Sequence, residues 1–349
     1  MTADATEFSE STHPTKVWAW RIVKWSLCGL VLAFVGRRAA QMWQQSGTQE
    51  LVFSWPWAIA AGVAYGLGWL PSVWFWRRML QSCGETVPVW DATRAYFCGH
   101  LGKYVPGKAT VLVIRSALLR PCGVPMRLSA LTATFETLIL MGVGAAVATA
   151  LAPLLLSSEW VAQAPPWFQW FVDRPWLMAG LVVIGCAALL PVLAKLLTAV
   201  VFKLTPLEML GEGRSFQLST GLLAEAFAVL ILGWVILAIS LGLTIRAVGG
   251  VVSPADLPIL TGSVCAATAL GFVAIFAPGG LGVREGILIV TLQTLRPDVA
   301  ESQAVAASIL LRLIWFIVEV VIAGSLYSLG STTPSPQPSI PNQQLTTDN

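Results

Sequence analysis

The sequence predicts an all-α fold, a polytopic integral membrane helical bundle of about 7–8 transmembrane helices with re-entrant or broken helices among them. Three observations carry that reading. Of 349 residues, 56% are hydrophobic and only 11% are charged, against about 25% charged in ordinary soluble domains. Several apolar runs reach the ~20 residues that cross a ~30 Å hydrocarbon core, and the mean hydropathy is +0.73. Two apolar regions are also broken by Pro-Gly turns with cations beside them, which a plain spanning helix does not need.

Residues 1–16, "MTADATEFSESTHPTK", are polar and acidic. They lack the basic n-region of a signal peptide and read as a tail ahead of a retained first span. Full spans follow near 17–35, 51–74, 127–155, 176–202, 218–247, 258–277 and 302–329, with interrupted segments near 92–120 and 281–295. Unpaired backbone groups cannot face lipid, so each span is helical. Together they form one membrane domain, 17–329. The final residues, 330–349, are rich in Ser, Thr, Pro and Gln, a composition that predicts disorder.

Lysine and arginine set the orientation. Residues 75–127 hold Arg77, Arg78, Arg94, Lys103, Lys108, Arg115, Arg120 and Arg127 against Glu85 and Asp91, whereas 156–175 hold Arg174 with Glu159 and Asp173. The first region is therefore expected in the cytoplasm with the N-terminus, and the second outside a cell membrane. Arg37 and Arg38 then fall on the less favoured side. Tryptophan clusters at 18–25, 69–76 and 160–176 fit interfacial belts. The six Cys form no C-x-x-C pair and read as free thiols, and two His leave little for a His-based metal site. No cofactor is expected. A net charge of +3 without a basic tail argues against nucleic acid as a partner.

The first interruption is "GHLGKYVPGKATVLVIR", residues 99–115, and the second is "APGGLGVREG", residues 277–286. Each places an apolar approach, a Pro-Gly break and a cation in one half of the chain, which suggests an inverted repeat. Matching interruptions of this kind mark binding sites in repeat-built transporters. Proline ends the preceding helix and glycine allows the dihedrals that follow. A half-helix starting near Gly107 or Gly282 points free N–H groups and a positive dipole end inward. With Lys108 and Arg115 seven residues apart on one helical face, the first motif suits an anionic group, and a lipid phosphate is the obvious one in a membrane. Glu285 favours the second dipole end and is placed to pair with Arg284. The plainer alternatives are positive-inside topology for Lys103, Lys108 and Arg115, and simple kinks for the glycines.

Ionisable residues inside spans are costly, about 2.5–3.5 kcal/mol at a helix centre on insertion scales, and usually pair or face a polar cavity. Glu136 in "TATFETLILMG" and Arg312 and Glu319 in "SILLRLIWFIVEVV" are of this kind. Arg312 is expected to meet Glu136 or Glu285, and structural ion pairs are the plain alternative. Glu225 and Lys195 sit nearer span ends, where snorkelling accounts for them. There is no G-x-S-x-G, H-E-x-x-H, P-loop or Rossmann fingerprint, so no enzyme activity is expected.

The run "LGKYVPGKATVLVIRSALL", the acidic "FETLILMG", "FVAIFAPGGLGVREGILIVTL" and the closing R…E helix together resemble the lysylphosphatidylglycerol synthase transmembrane-region family. The resemblance covers roughly residues 17 to 329. It implies an all-helical membrane domain with re-entrant segments, linked to moving phospholipids or glycolipids between leaflets. By motif match it marks Tyr104, Pro106, Gly107, Lys108 and Arg115 in the first break, and Pro278, Gly279, Gly280, Gly282, Arg284, Glu285 and Gly286 in the second. Glu136, Arg312 and Glu319 match less distinctive positions. Bifunctional members add a soluble aminoacyl-transferring domain that this sequence lacks, so lipid aminoacylation is not expected.

The expected function is flippase-like: binding an anionic phospholipid or glycolipid and moving it between leaflets. The alternatives are a non-transporting accessory protein of a cell-envelope pathway and an ion-coupled secondary transporter of a small anion. Membrane lipids are the expected partners, and a homo-oligomer or a partner enzyme is compatible with the sequence.

Overall fold

In a computed structural model the described residues are 53–104, 109–156, 158–204, 218–274, 280, 282–295 and 301–332. The expected first span, 17–35, the tail residues 333–349 and the break residues Pro106, Gly107, Lys108, Pro278 and Gly279 lie outside them.

The chain enters through α1, Trp55–Gly68, and α2, Leu70–Ser82, which together make one 28-residue candidate span. Pro71 sits in the first turn of α2 and breaks the run at Trp69, since proline offers no N–H to the turn before it. The span therefore continues eight residues past the expected 51–74. Next come α3, Val89–His100, a 3-10 turn at Leu101–Tyr104, and α4, Ala109–Leu119. At 1.5 Å per residue, α3 and α4 are about 18 and 16 Å long, too short to cross a ~30 Å core. They pack against each other as a helical hairpin.

The long α5, Met126–Ala150, follows. Short helices α6, Ala152–Leu155, α7, Ser158–Gln163, and α8, Pro166–Val172, lead to α9, Pro175–Leu204. Helix α10, Thr220–Ala247, starts from Ser219, whose hydroxyl accepts from the Leu222 N–H at 3.0 Å as an N-cap. A second hairpin is made by α11, Leu257–Val273, and α12, Val283–Leu295. Helix α12 has 13 residues, about 20 Å, so it does not reach across the core by itself. The chain closes with α13, Glu301–Ser328. Six helical stretches among the described residues are long and apolar enough to span a membrane, and no strand occurs among those residues. The protein is an all-α multi-pass membrane bundle.

Lipid is as apolar as leucine, so burial in oil does not drive these helices together, and close packing must. Helix α10 runs through the middle and touches α1, α2, α5, α9, α11 and α13. Glycines let it approach. A Cβ on Gly233 would come within 3.0 Å of the Gly68 carbonyl, and one on Gly144 within 2.7 Å of the Trp234 ring. Polar links add to this: Ser240 Oγ donates to the Ala61 carbonyl at 2.8 Å and accepts from Trp315 Nε1 at 3.1 Å. By contrast, α9 is almost unburied, with Leu181, Val183, Ile184, Leu189 and Leu196 exposed for lipid to cover.

The tryptophans divide. Trp160, Trp167, Trp170 and Trp176 are exposed around α7–α9, as an interfacial belt requires. Trp69 and Trp76 are buried instead, and Trp76 Nε1 donates to Thr132 Oγ1 at 3.2 Å. These two belong to the interior. At the other end of α13, residues 330–332 fold back on the start of α3. Trp90 Nε1 donates to the Gly330 carbonyl at 3.0 Å, and the buried Asp91 carboxylate accepts from Ser331 Oγ at 2.7 Å and Thr332 Oγ1 at 2.6 Å.

Candidate functional site

Each hairpin brings an arginine into the interior, and glycines make room for both. Arg115 on α4 passes over Gly99 of α3, where a Cβ would lie 2.4 Å from the arginine Cγ. Arg284 on α12 passes over Gly271 of α11, where the corresponding distance is 2.5 Å. A Cβ on Gly102 would meet the Val111 backbone N at 2.7 Å, so the first hairpin closes only with glycine there. Gly280 (φ 71°) and Gly282 (φ 83°) turn the chain between α11 and α12 in the left-handed region that glycine adopts without strain.

The long helix after each hairpin completes an ion pair. Arg115 Nη1 bonds Glu136 Oε2 on α5 at 2.9 Å, with both side chains buried. Tyr96 donates to the other Glu136 oxygen at 3.0 Å, and the Arg115 guanidinium lies 3.9 Å from the Tyr96 ring centre and 5.0 Å from that of Trp76. In the second half the signs are exchanged. Glu285 on α12 pairs with Arg312 on α13 at 2.6 Å, and its other oxygen accepts from the Gly282 N–H at 2.6 Å. Of the two partners expected for Arg312, Glu285 is the one found. Glu285 does not pair with Arg284, because the neighbouring side chain on the helix points to a different face.

A third pair joins the halves. Glu319 on α13 is buried, and its Oε1 accepts from Lys103 Nζ at 2.5 Å and from the Tyr65 hydroxyl of α1. His100 Nε2 lies 3.6 Å from the same oxygen. Lys103 also sits 5.1 Å from the Tyr104 ring centre, and Tyr104 stands edge-on to Phe316 at 5.1 Å.

Between these pairs lies a cavity of about 320 Å³. Lys103, His100, Arg115, Glu136, Gly280 and Arg284 supply its polar wall. The rest is mostly aromatic and aliphatic, including Tyr65, Tyr96, Trp234, Trp315, Met141 and Phe272, with Thr134, Thr137 and Thr268 among them. Such a space, mostly apolar with a few convergent polar groups, is the usual form of a ligand site. The three cations in its wall differ. Arg115 and Lys103 are paired, whereas Arg284 Nε is buried without a hydrogen bond and no acidic group among the described residues forms an ion pair with Arg284.

Of the residues expected from sequence, Arg115, Glu136, Gly280 and Arg284 share the cavity wall. Glu319 stands behind Lys103, Tyr104 stands beside it, and the Glu285–Arg312 pair with Gly282 stands outside the wall. Pro106, Gly107, Lys108, Pro278 and Gly279 fall outside the described residues. Sequence reasoning missed Tyr65, Tyr96 and His100. The chain has only four tyrosines, and three of them carry or adjoin these ion pairs. For Tyr65, a lone hydroxyl in an otherwise apolar run was the signal available. Among the described residues no group of three His, Cys, Asp or Glu side chains is placed to hold a metal ion.

No curated protein matches this sequence. The family described as lysylphosphatidylglycerol synthase TM region matches residues 21–323, covering both hairpins, all three ion pairs and the cavity between them, and the chain belongs to that family.

Proposed function

We propose that the protein binds the anionic headgroup of a phospholipid or glycolipid in the central cavity and moves it between leaflets, without enzymatic chemistry. The observation that carries this reading is Arg284. It is a half-buried guanidinium in the cavity wall, with its Nε buried and unbonded, in a lining made mostly of aromatic and aliphatic side chains. An unpaired charge in an apolar interior is costly, and a phosphate oxygen would relieve that cost with charge-assisted hydrogen bonds. The apolar side suits the first acyl carbons of the same molecule, and α3, α4 and α12 are each too short to cross the core alone.

The test is leaflet exchange of fluorescent phosphatidylglycerol and phosphatidylethanolamine in proteoliposomes, wild type against Arg284→Gln. Exchange by the wild type that falls at least tenfold in a folded Arg284→Gln variant is the expected result. Undiminished exchange in that variant would remove the headgroup from this cavity. Absence of exchange with every headgroup, from folded protein, would favour the accessory role.

A further inference from the structure

We propose that Glu319 is a proton-coupling site: an anion that draws Lys103 into the cavity leaves the Glu319 carboxylate to take up one proton, so anion binding and protonation occur together. The inference rests on the cavity being an anion site, and it adds what drives the cycle.

The geometry supplies each part. Lys103 and His100 line the cavity and Glu319 does not, so the ammonium group stands between the cavity and the carboxylate. Lys103 and Tyr65 both donate to a single Glu319 oxygen, Oε1, and His100 Nε2 lies 3.6 Å from the same oxygen without a hydrogen bond. The other Glu319 oxygen, Oε2, is buried and accepts no hydrogen bond. A carboxylate has lone pairs to satisfy on both of its oxygens. Here one oxygen is left with room for a proton.

An anion beside Arg284 attracts Lys103 as well, since both cations face the same space. Once Lys103 turns to that anion, Glu319 is a carboxylate in a dry interior without its countercharge. Such a group either carries a large energetic penalty or becomes neutral. The remaining neighbours do not replace the lysine. Tyr65 from α1 and Tyr104 beside the 3-10 turn offer hydroxyls, and His100 from α3 offers an imidazole. Arg312 on the same helix is held by Glu285, and Arg284 from α12 faces the cavity. Helix α10 contributes the uncharged Ser240 through Trp315.

The step balances. The carboxylate accepts one proton from solvent to become a carboxylic acid, Lys103 remains an ammonium throughout, and the anion adds one negative charge to a site that has gained one positive. When the anion leaves, Lys103 returns to Glu319 and the proton is released. A proton gradient then biases the direction of anion movement.

The experiment is calorimetric titration of purified protein with dihexanoyl phosphatidylglycerol, and separately with glycerophosphoglycerol, in two buffers of different ionisation enthalpy at pH 7.5. A phosphodiester does not titrate near this pH, so any proton taken up belongs to the protein. The expected result is about one proton per bound ligand in the wild type and near zero in Glu319→Gln. Binding by the lipid alone assigns the anion to a headgroup, and binding by both assigns it to the phosphodiester itself. Wild-type binding with no proton uptake overturns the inference and leaves the proposed site intact. Uptake that survives Glu319→Gln and disappears in His100→Gln overturns the assignment to Glu319. A failure of both ligands to bind folded wild-type protein overturns the site and the inference together. The wild-type count stands even where a variant does not fold.

Discussion

The two hairpins are built alike and finished differently. In each, the second arm lays an arginine across a glycine of the first, and the next long helix brings an ionisable partner to that arm. In the first hairpin the partner reaches the arginine itself. Arg115 is held by Glu136 at one end and lies over the Tyr96 and Trp76 rings, so it is stapled in place. In the second hairpin the partner reaches the neighbouring residue, pairing Glu285 with Arg312 and leaving Arg284 for the cavity. A shift of one residue along α12 separates a structural charge from an available one. The first hairpin holds its arginine in a buried pair, and the second leaves its arginine in the cavity wall.

The comparison predicts its largest effect at the staple. Arg115→Ala or Glu136→Ala leaves one buried charge alone and should cost about 3–5 kcal/mol, seen as a large fall in melting temperature in detergent or as failure to fold. The paired replacement Arg115→Met with Glu136→Leu should recover most of that loss. If the double variant is no better than the singles, or if Arg284→Ala destabilises equally, the contrast between the hairpins fails. A smaller effect separates the two glycines. Gly99→Ala pushes on an arginine fixed at both ends and should cost about 1–3 kcal/mol. Gly271→Ala pushes on Arg284, which has freedom to move, so it should cost less stability while reducing lipid exchange. Equal thermal shifts would mean that Arg284 is as fixed as Arg115. The smallest effect belongs to Arg78 and Glu225, a half-exposed pair at 3.4 Å outside both hairpins. Glu225→Gln should change stability by no more than about 0.5 kcal/mol, and a drop beyond 1 kcal/mol would place hidden structure there.

The second break was legible because proline and glycine act locally: α12 begins at Val283, next to the expected restart at Gly282. The spans were legible because length and apolarity are properties of a single segment. Partner choice was not. Arg115 meets Glu136 because α5 packs along α4, a contact that neither segment's composition states by itself. The interior place of Trp69 and Trp76 was hidden for the same reason, since a tryptophan near a helix end reads as an interfacial anchor until the neighbouring helices are known. His100 carries no motif in the sequence, and its position beside Glu319 follows only from the approach of α13 to α3.

The clasp at the end of α13 has a mechanical consequence. Asp91 holds Ser331 and Thr332, and Trp90 holds Gly330, so the chain leaves the bundle tied to the first turns of α3. Arg94 Nε adds a link to the Leu326 carbonyl at 3.2 Å, one turn farther along α3. A pull on the segment beyond residue 332 is therefore delivered to the base of the first hairpin as well as along α13. Because α3 ends at His100 and Lys103 follows in the next turn, that tether places the far end of the chain in mechanical series with the Lys103–Glu319 pair.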